Sequence, residues 1–224
     1  MSQKIKIDSL CVKEYPDQRT TKPHQLPLYA TSSFVFEDAE EGIDIFTGKK
    51  QGHSYSRYGN PTIDTVAQKL ADLEAFGTGL NAYGFLTSSG MSAISILMIS
   101  LLKQGDTVLT QSDLYGGTTE LLLKVLSNVG IKVIFTDLNN TDAVEQHCLN
   151  DRSIKLIYFE TPANPTMKCI DIHSISKIAK KYGAFTCVDN TFCTPLIQQP
   201  LSLGIDFVIH STTKYLNGHG NSIA

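Results

Sequence analysis

The residues of this chain that could do chemistry sit in short polar stretches, each closing an apolar run. Ser211-Thr-Thr-Lys214 follows Phe207–His210, and a lysine beside hydroxyl residues after a buried strand can lose its water and act as an amine nucleophile toward an aldehyde. Asp189 closes the apolar run Ala184–Val188. A carboxylate there costs free energy unless it meets donors or a cation, and a cationic ring nitrogen would serve. Thr87-Ser-Ser-Gly90 puts small hydroxyl residues and a glycine before a helical run, which lets a phosphate approach the free N–H groups of a helix start. Tyr115, followed by Gly116 and Gly117, can lie flat against an aromatic ligand ring. Asn164 lies between Pro162 and Pro165, which stiffen the loop and hold its amide in one place. Each stretch also has an ordinary reading when taken alone: a solvated lysine, a helix-capping aspartate, a capped turn, a surface tyrosine and a stiff turn.

Positioning these residues together requires a particular scaffold. Strand-like runs are expected at Ala82–Leu86, Thr107–Gln111, Ile131–Phe135, Ile154–Phe159, Ala184–Val188 and Phe207–His210. Helical runs alternate with them near Met91–Leu102, Thr118–Ser127, Ala143–Leu149 and Ser174–Tyr182. The last has Ile175, Ile178 and Tyr182 on one face and Gly183 just past its end. Such alternation predicts an α/β fold, a mostly parallel sheet flanked by helices. Parallel sheets bind ligands outside the carboxyl ends of their strands, where the stretches above fall. Residues 1–60 read differently. Pro16, Pro23 and Pro27 break up helices, so an extended N-terminal arm is expected over 1–60 and an α/β domain over 61–224. Asn60-Pro61 opens a helix in which Ile63, Val66, Leu70 and Leu73 keep an apolar stripe until Gly77 and Gly79.

Composition narrows the function. The formal net charge of −3 comes without any Lys/Arg run, which argues against a nucleic-acid partner. The most apolar stretch, Ile94 to Leu102, is interrupted by serines and is far shorter than the roughly 20 residues that span a bilayer, so no membrane partner is expected. Cys11, Cys148, Cys169, Cys187 and Cys193 are scattered and form no CxxC pair, which argues against a disulfide framework and a metal site and suits a cytoplasmic setting. GxxxxGK[ST] is absent, and Gly77-Thr-Gly79 does not extend to GxGxxG, so nucleoside triphosphates and dinucleotides are disfavoured.

Taken together, the stretches supply a phosphate cradle, a ring platform, an amide for a phenolate, a carboxylate for a pyridinium and an amine for an aldehyde. Those groups complement pyridoxal 5′-phosphate (PLP). The ordered motifs Ser54-Tyr-Ser-Arg-Tyr-Gly-Asn-Pro-Thr62, Ser88-Ser-Gly-Met91, Leu114-Tyr-Gly-Gly-Thr118, Glu160-Thr-Pro-Ala-Asn-Pro165, Val188-Asp-Asn-Thr-Phe192 and Ser211-Thr-Thr-Lys-Tyr215 resemble the Cys/Met-metabolism PLP enzymes. That family includes cystathionine γ-synthase, cystathionine γ-lyase, methionine γ-lyase and O-acetylhomoserine sulfhydrylase.

The resemblance implies the large domain of the fold type I PLP-dependent transferases. It implies that Lys214 carries PLP as the internal aldimine and later shuttles protons. It implies that Asp189 pairs with the pyridine nitrogen, and that Tyr115 stacks on the ring and assists proton transfer. By the same resemblance Ser89, Gly90, Met91, Ser211 and Thr213 bind the phosphate, while Asn164 and Thr191 lie near the ring. Tyr55 and Arg57 match arm residues that reach the phosphate of a neighbouring subunit, which implies a homo-oligomer, usually a homotetramer built as a dimer of dimers.

The activity implied is γ-replacement or γ-elimination on a sulfur amino-acid substrate. The methionine γ-lyase subgroup typically has cysteine at the position of Gly117, and the β-lyase branch has glutamate at that of Gly116, so cystathionine γ-synthase or γ-lyase chemistry is the first expectation. O-Acetylhomoserine sulfhydrylase or methionine γ-lyase activity is the alternative. Family members continue into a smaller C-terminal domain that supplies an arginine for the substrate carboxylate, so a fragment lacking that domain is expected. More distant alternatives are an aminotransferase or cysteine desulfurase, a dehydrogenase, and an inactive binding module.

Overall fold

A computed structural model describes residues 6–12 and 24–224, so the expectations placed on Pro16 and Pro23 lie outside the described residues. The chain divides into two compact units. One holds the described residues up to Phe76 together with Asn81–Leu86; the other holds Gly77–Leu80 and Thr87–Ala224.

The first unit contains α1 (Ile7–Val12), α2 (Ala39–Phe46) and α3 (Pro61–Glu74). The expectation of an extended stretch passed over α2, whose start is a capping signal. Asp38 accepts from the Glu41 N–H at 2.8 Å, and the Glu41 carboxylate reaches back to the Glu37 N–H. Asn60 caps α3 as expected, accepting from the Thr62 N–H at 3.0 Å with Pro61 at the first helical position. The same cap stitches the preceding strand-like chain to the helix. The Asn60 amide donates to the Tyr29 carbonyl at 3.0 Å, and the Thr62 hydroxyl donates to the Pro27 carbonyl at 2.8 Å.

Two sequence expectations fail in this unit. The buried face of α3 is Ala67, Ala71 and Leu73, whereas Ile63 and Val66 are exposed. Another backbone lies against this face at Ala67: a Cβ at Gly84 would stand 2.1 Å from the Ala67 carbonyl oxygen, so position 84 has room only for glycine. The strand expected at Ala82–Leu86 does not form. Its side chains alternate in exposure with period two, but Tyr83 and Phe85 are 84% and 91% exposed, and the stretch has no strand ladder. A strand is defined by a neighbour that takes its N–H and C=O groups, and an apolar period alone does not provide one.

The second unit is a five-stranded, wholly parallel sheet of β1 (Thr107–Thr110), β2 (Lys132–Phe135), β3 (Ile154–Glu160), β4 (Phe185–Asp189) and β5 (Phe207–Ile209), in the order β2-β1-β3-β4-β5. Its helices are α4 (Gly90–Leu101), α5 (Gly116–Glu120), α6 (Thr141–Asn150), α7 (Ile172–Tyr182) and α8 (Thr194–Ile197). After α5 the chain widens into a π-helical turn, Leu121–Leu126, and then tightens into a 3-10 turn, Ser127–Val129.

Both faces of the sheet are buried, and the period-two alternation of the strands deals their residues between two cores. Leu109, Ile157, Phe159 and Val188 pack with Val144 of α6 and Ile175 of α7. Val108, Leu156, Tyr158 and Cys187 pack with Ile94 and Met98 of α4 and with Leu122. Burying a side chain of this size is worth about 1.5–3 kcal/mol. The sheet is therefore the rigid body that sets where the strand ends lie. Ile178 and Tyr182 pack beside Ile175, and Gly183 ends α7 in the left-handed conformation at φ 73°, as its position predicts.

Candidate active site

The carboxyl ends of the strands converge on one cavity of about 250 Å³. Ser89, Gly90 and Met91 line it from the start of α4, Tyr115 from the loop after β1, and Asn164 from the loop after β3. Asp189 and Thr191 enter from the end of β4, and Ser211, Thr213 and Lys214 from the turn after β5. Sequence reasoning thus picked residues that the sheet gathers. Tyr55 and Arg57 belong to the first unit, where both are exposed and the guanidinium sits 5.0 Å from the Tyr55 ring centroid and 5.3 Å from that of Tyr58.

The start of α4 is organised by Ser89, whose Oγ accepts from the Ser92 N–H at 3.1 Å. Gly90 is needed at the next position because a Cβ there would lie 2.8 Å from the Ser211 Cβ. Its absence lets the helix N-terminus and the Ser211 turn approach each other. Ser211 is fixed in turn by its N–H, which donates to the Thr191 hydroxyl at 2.8 Å. The Thr213 hydroxyl is tied to the Ala224 backbone, with both contacts at 3.0 Å.

Asp189 receives the Thr191 N–H at 3.0 Å on one oxygen and faces the Tyr158 hydroxyl at 3.5 Å on the other. Burial pushes its carboxyl above the ordinary 3.8, against the hydrogen bonds from Thr191 that pull it down. The Tyr158 phenol is driven well above 10, first by burial and then by the Asp189 charge. A carboxylate in this state gains from a cation more than a solvated one would. Lys214 departs from the expectation of a desolvated amine: it is exposed, because it lies on the turn Ser211–Gly218 beyond the strand and not in the core.

Tyr115 caps α5 and is half exposed. Its ring covers Gly117, where a Cβ would stand 2.8 Å from the Tyr115 Cε1 and 3.2 Å from the Met91 sulfur. Its backbone N–H donates to the Glu160 carboxylate at 2.8 Å. Glu160 also lines the cavity, yet sequence reasoning gave it no role. Its signal was the same as that of Asp189, an acid ending an apolar strand, and the register sets the two opposite each other. Burial raises the Glu160 carboxyl from 4.5 to about 7, against the N–H groups of Tyr115 and Asn164. Phe192, which stacks edge-on with Tyr215 at 5.9 Å, is a second lining residue that went unassigned.

The chain matches the family described as Cys/Met metabolism PLP-dependent enzyme over residues 8–224. It is 43% identical over 200 residues to an L-methionine γ-lyase of Fusobacterium nucleatum, covering 89% of this chain and 49% of that protein. It is 42% identical to a cystathionine β-lyase of Lactococcus lactis over 92% of this chain and 50% of the relative. It is 39% identical to an O-succinylhomoserine sulfhydrylase of Pseudomonas aeruginosa over 97% of this chain and 52% of the relative. The chain therefore spans about half the length of the curated relatives it matches. The fold is similar to that of a cystathionine γ-lyase from Lactobacillus plantarum solved with L-serine, at TM-score 0.86 and 34% identity over 98% of this chain and 53% of that one. It is also similar to a Campylobacter jejuni protein described as an O-acetylhomoserine (thiol)-lyase and solved with a pyridoxyl-lysine phosphate, at TM-score 0.88 and 33% identity over 98% of this chain and 52% of that one. Matched almost end to end, the chain belongs to the Cys/Met-metabolism family of PLP-dependent enzymes.

Proposed function

We propose that this chain is the PLP-binding part of an enzyme that eliminates or replaces a side-chain substituent of sulfur amino acids, with Lys214 as the lysine that carries the cofactor. The observation that supports this most is the single cavity lined by Lys214, Asp189, Tyr115 and the capped start of α4. PLP needs a partner for its phosphate, its ring nitrogen and its aldehyde, and residues of each kind face that space. The fit is supported by Asp189, whose carboxyl burial raises above its ordinary range at the cavity wall, and by Gly90, whose missing Cβ leaves the helix start open against Ser211.

When bound, PLP supplies an electron-withdrawing ring that takes up the electron pair left as the substrate loses its Cα proton. The residues of this chain would do the rest. Asp189 would hold a proton on the ring nitrogen, which keeps the ring electron-poor. The N–H groups at the start of α4, with Ser89, Gly90, Met91, Ser211 and Thr213, would hold the phosphate. Tyr115 would offer a face to the ring and exclude water there, with Asn164 and Thr191 close by. The Lys214 amine, once the substrate amine has taken its place, would move a proton at the substrate carbon. Tyr55 and Arg57, exposed on the first unit, would reach the phosphate of a neighbouring copy in a homotetramer. A cytoplasmic setting is supported by five free cysteines. Among the described residues no helix is long and apolar enough to cross a membrane.

γ-Lyase and sulfhydrylase chemistries are both supported by relatives and structural neighbours of these kinds, at 43%, 39% and 34% identity, and γ-synthase chemistry stays included on the sequence resemblance. The cystathionine β-lyase relatives, at 42% identity, supply a second reading, β-elimination, which a product assay on cystathionine separates from γ-elimination. The cofactor assignment is tested by titrating the full-length protein with PLP and, separately, with NAD. A visible absorption band that appears with PLP alone supports it, and no response to PLP overturns it.

A further inference from the structure

Resting on the reading of Tyr115 as a residue that faces the cofactor ring, we propose that Glu160 is a pH-dependent latch that positions the Tyr115 turn over the cavity. The carboxylate lies at the carboxyl end of β3, is buried to 5% exposure and lines the cavity. It accepts from the Tyr115 N–H at 2.8 Å, so this side chain fastens the loop after β1 to the end of β3. The Gln111 amide ties the same two segments from behind, donating to the Asp113 carbonyl at 2.6 Å and to the Glu160 carbonyl at 3.1 Å. Gln111 Oε1 is buried with no donor, so acceptors outnumber donors in this corner. The Tyr115 side chain is half exposed and gives α5 no side-chain cap. The Tyr115 carbonyl accepts from the Thr118 and Thr119 N–H groups on the helix side, and Glu160 is the group that fixes the N–H side of the turn.

A charged acceptor binds an N–H group roughly twice as strongly as a neutral one, so the proton on Glu160 decides how tightly the turn is held. With its carboxyl raised to about 7, that change falls in the neutral range. The other ionisable groups around it are Asp189 on β4, directly opposite in register, Tyr158 on β3 itself, Asp113 and Tyr115 on the loop after β1, and Lys214 across the cavity. His210 after β5 acts on Asp189. Tyr158 stays neutral throughout this range.

The test is amide hydrogen exchange of the segment from Tyr115 to Thr118 in the full-length, cofactor-free protein between pH 5.5 and 8.5, corrected for the intrinsic rate. Protection of the wild type should rise about fivefold as pH passes 7, the difference between a neutral and a charge-assisted bond. Glu160→Gln keeps an acceptor without a charge and should hold protection flat at the low-pH level, while Glu160→Ala should lower it further. A flat wild-type profile overturns the latch. So does a step that survives in Glu160→Gln, because it then belongs to His210 or another group left in place. Because the readout needs no cofactor, failure of PLP binding with the step intact would overturn the proposed function alone. PLP binding with no step would overturn the latch alone.

Discussion

The ends of β3 and β4 make the most instructive pair in the molecule. Glu160 and Asp189 sit opposite each other in register, each closes a buried apolar strand, each lines the same cavity, and burial raises both carboxyls. They differ in what answers them. Glu160 is met by the backbone N–H of Tyr115 from the loop after β1, whereas Asp189 has the Thr191 hydrogen bond and a long contact to Tyr158, and faces the cavity. One acid is spent on the fold of the loops and the other is left for a ligand. Position in the sheet alone therefore does not make a strand-end acid a binding group; the source of its protein donors separates the two, a loop 45 residues away for Glu160, but a residue two positions on and the neighbouring strand for Asp189.

Substitutions at the two ends should separate these roles. The largest effect is expected for Asp189→Asn in the full-length protein, which removes the partner of a buried cation. PLP affinity should fall about 100-fold or more, while Glu160→Gln changes it less than tenfold; this is read by cofactor titration. Equal losses would erase the distinction.

Next comes the pH dependence of stability. Glu160 titrates near 4.5 when unfolded and about 7 when folded, so between those values the folded state binds more protons and stability falls as pH rises. The contribution is fully present below pH 4.5 and lost above 7, and amounts to about 3 kcal/mol. Urea unfolding of the cofactor-free protein at pH 5 and 8 should show a wild-type-minus-Glu160→Gln difference of that sign. Asp189, raised in the same direction, should leave some slope in the variant.

Smallest is Thr191→Val at the β4 end. It strips the acceptor from the Ser211 N–H and should cost about 1 kcal/mol in the same unfolding experiment.

Much of the parallel sheet could be read from the sequence, because β1, β3 and β4 are short apolar runs that end in turn residues and alternate with amphipathic helices such as α7. The strand-end rule then led to Tyr115, Asn164, Asp189, Ser211 and Lys214, and to Ser89 by way of the expected strand at Ala82–Leu86 that does not form; all of them line one cavity. What escaped reading depended on partners distant in sequence. The run Ala82–Leu86 has strand periodicity but no strand beside it, and α3 turned Ala67 and Ala71 inward, with the Gly84 backbone against Ala67. Glu160 went unassigned because its donor, the Tyr115 N–H, lies 45 residues away and only the fold brings it to the carboxylate. The capping signal Asp38-x-x-Glu41 was present in the sequence and went unread, because Pro16, Pro23 and Pro27 set one extended reading for all of residues 1–60.

The most direct test of the cofactor assignment is borohydride reduction of the full-length protein with PLP, followed by peptide mass mapping. The pyridoxyl mass should be found on the peptide that contains Lys214. A tag on another lysine, or none at all, would contradict the assignment.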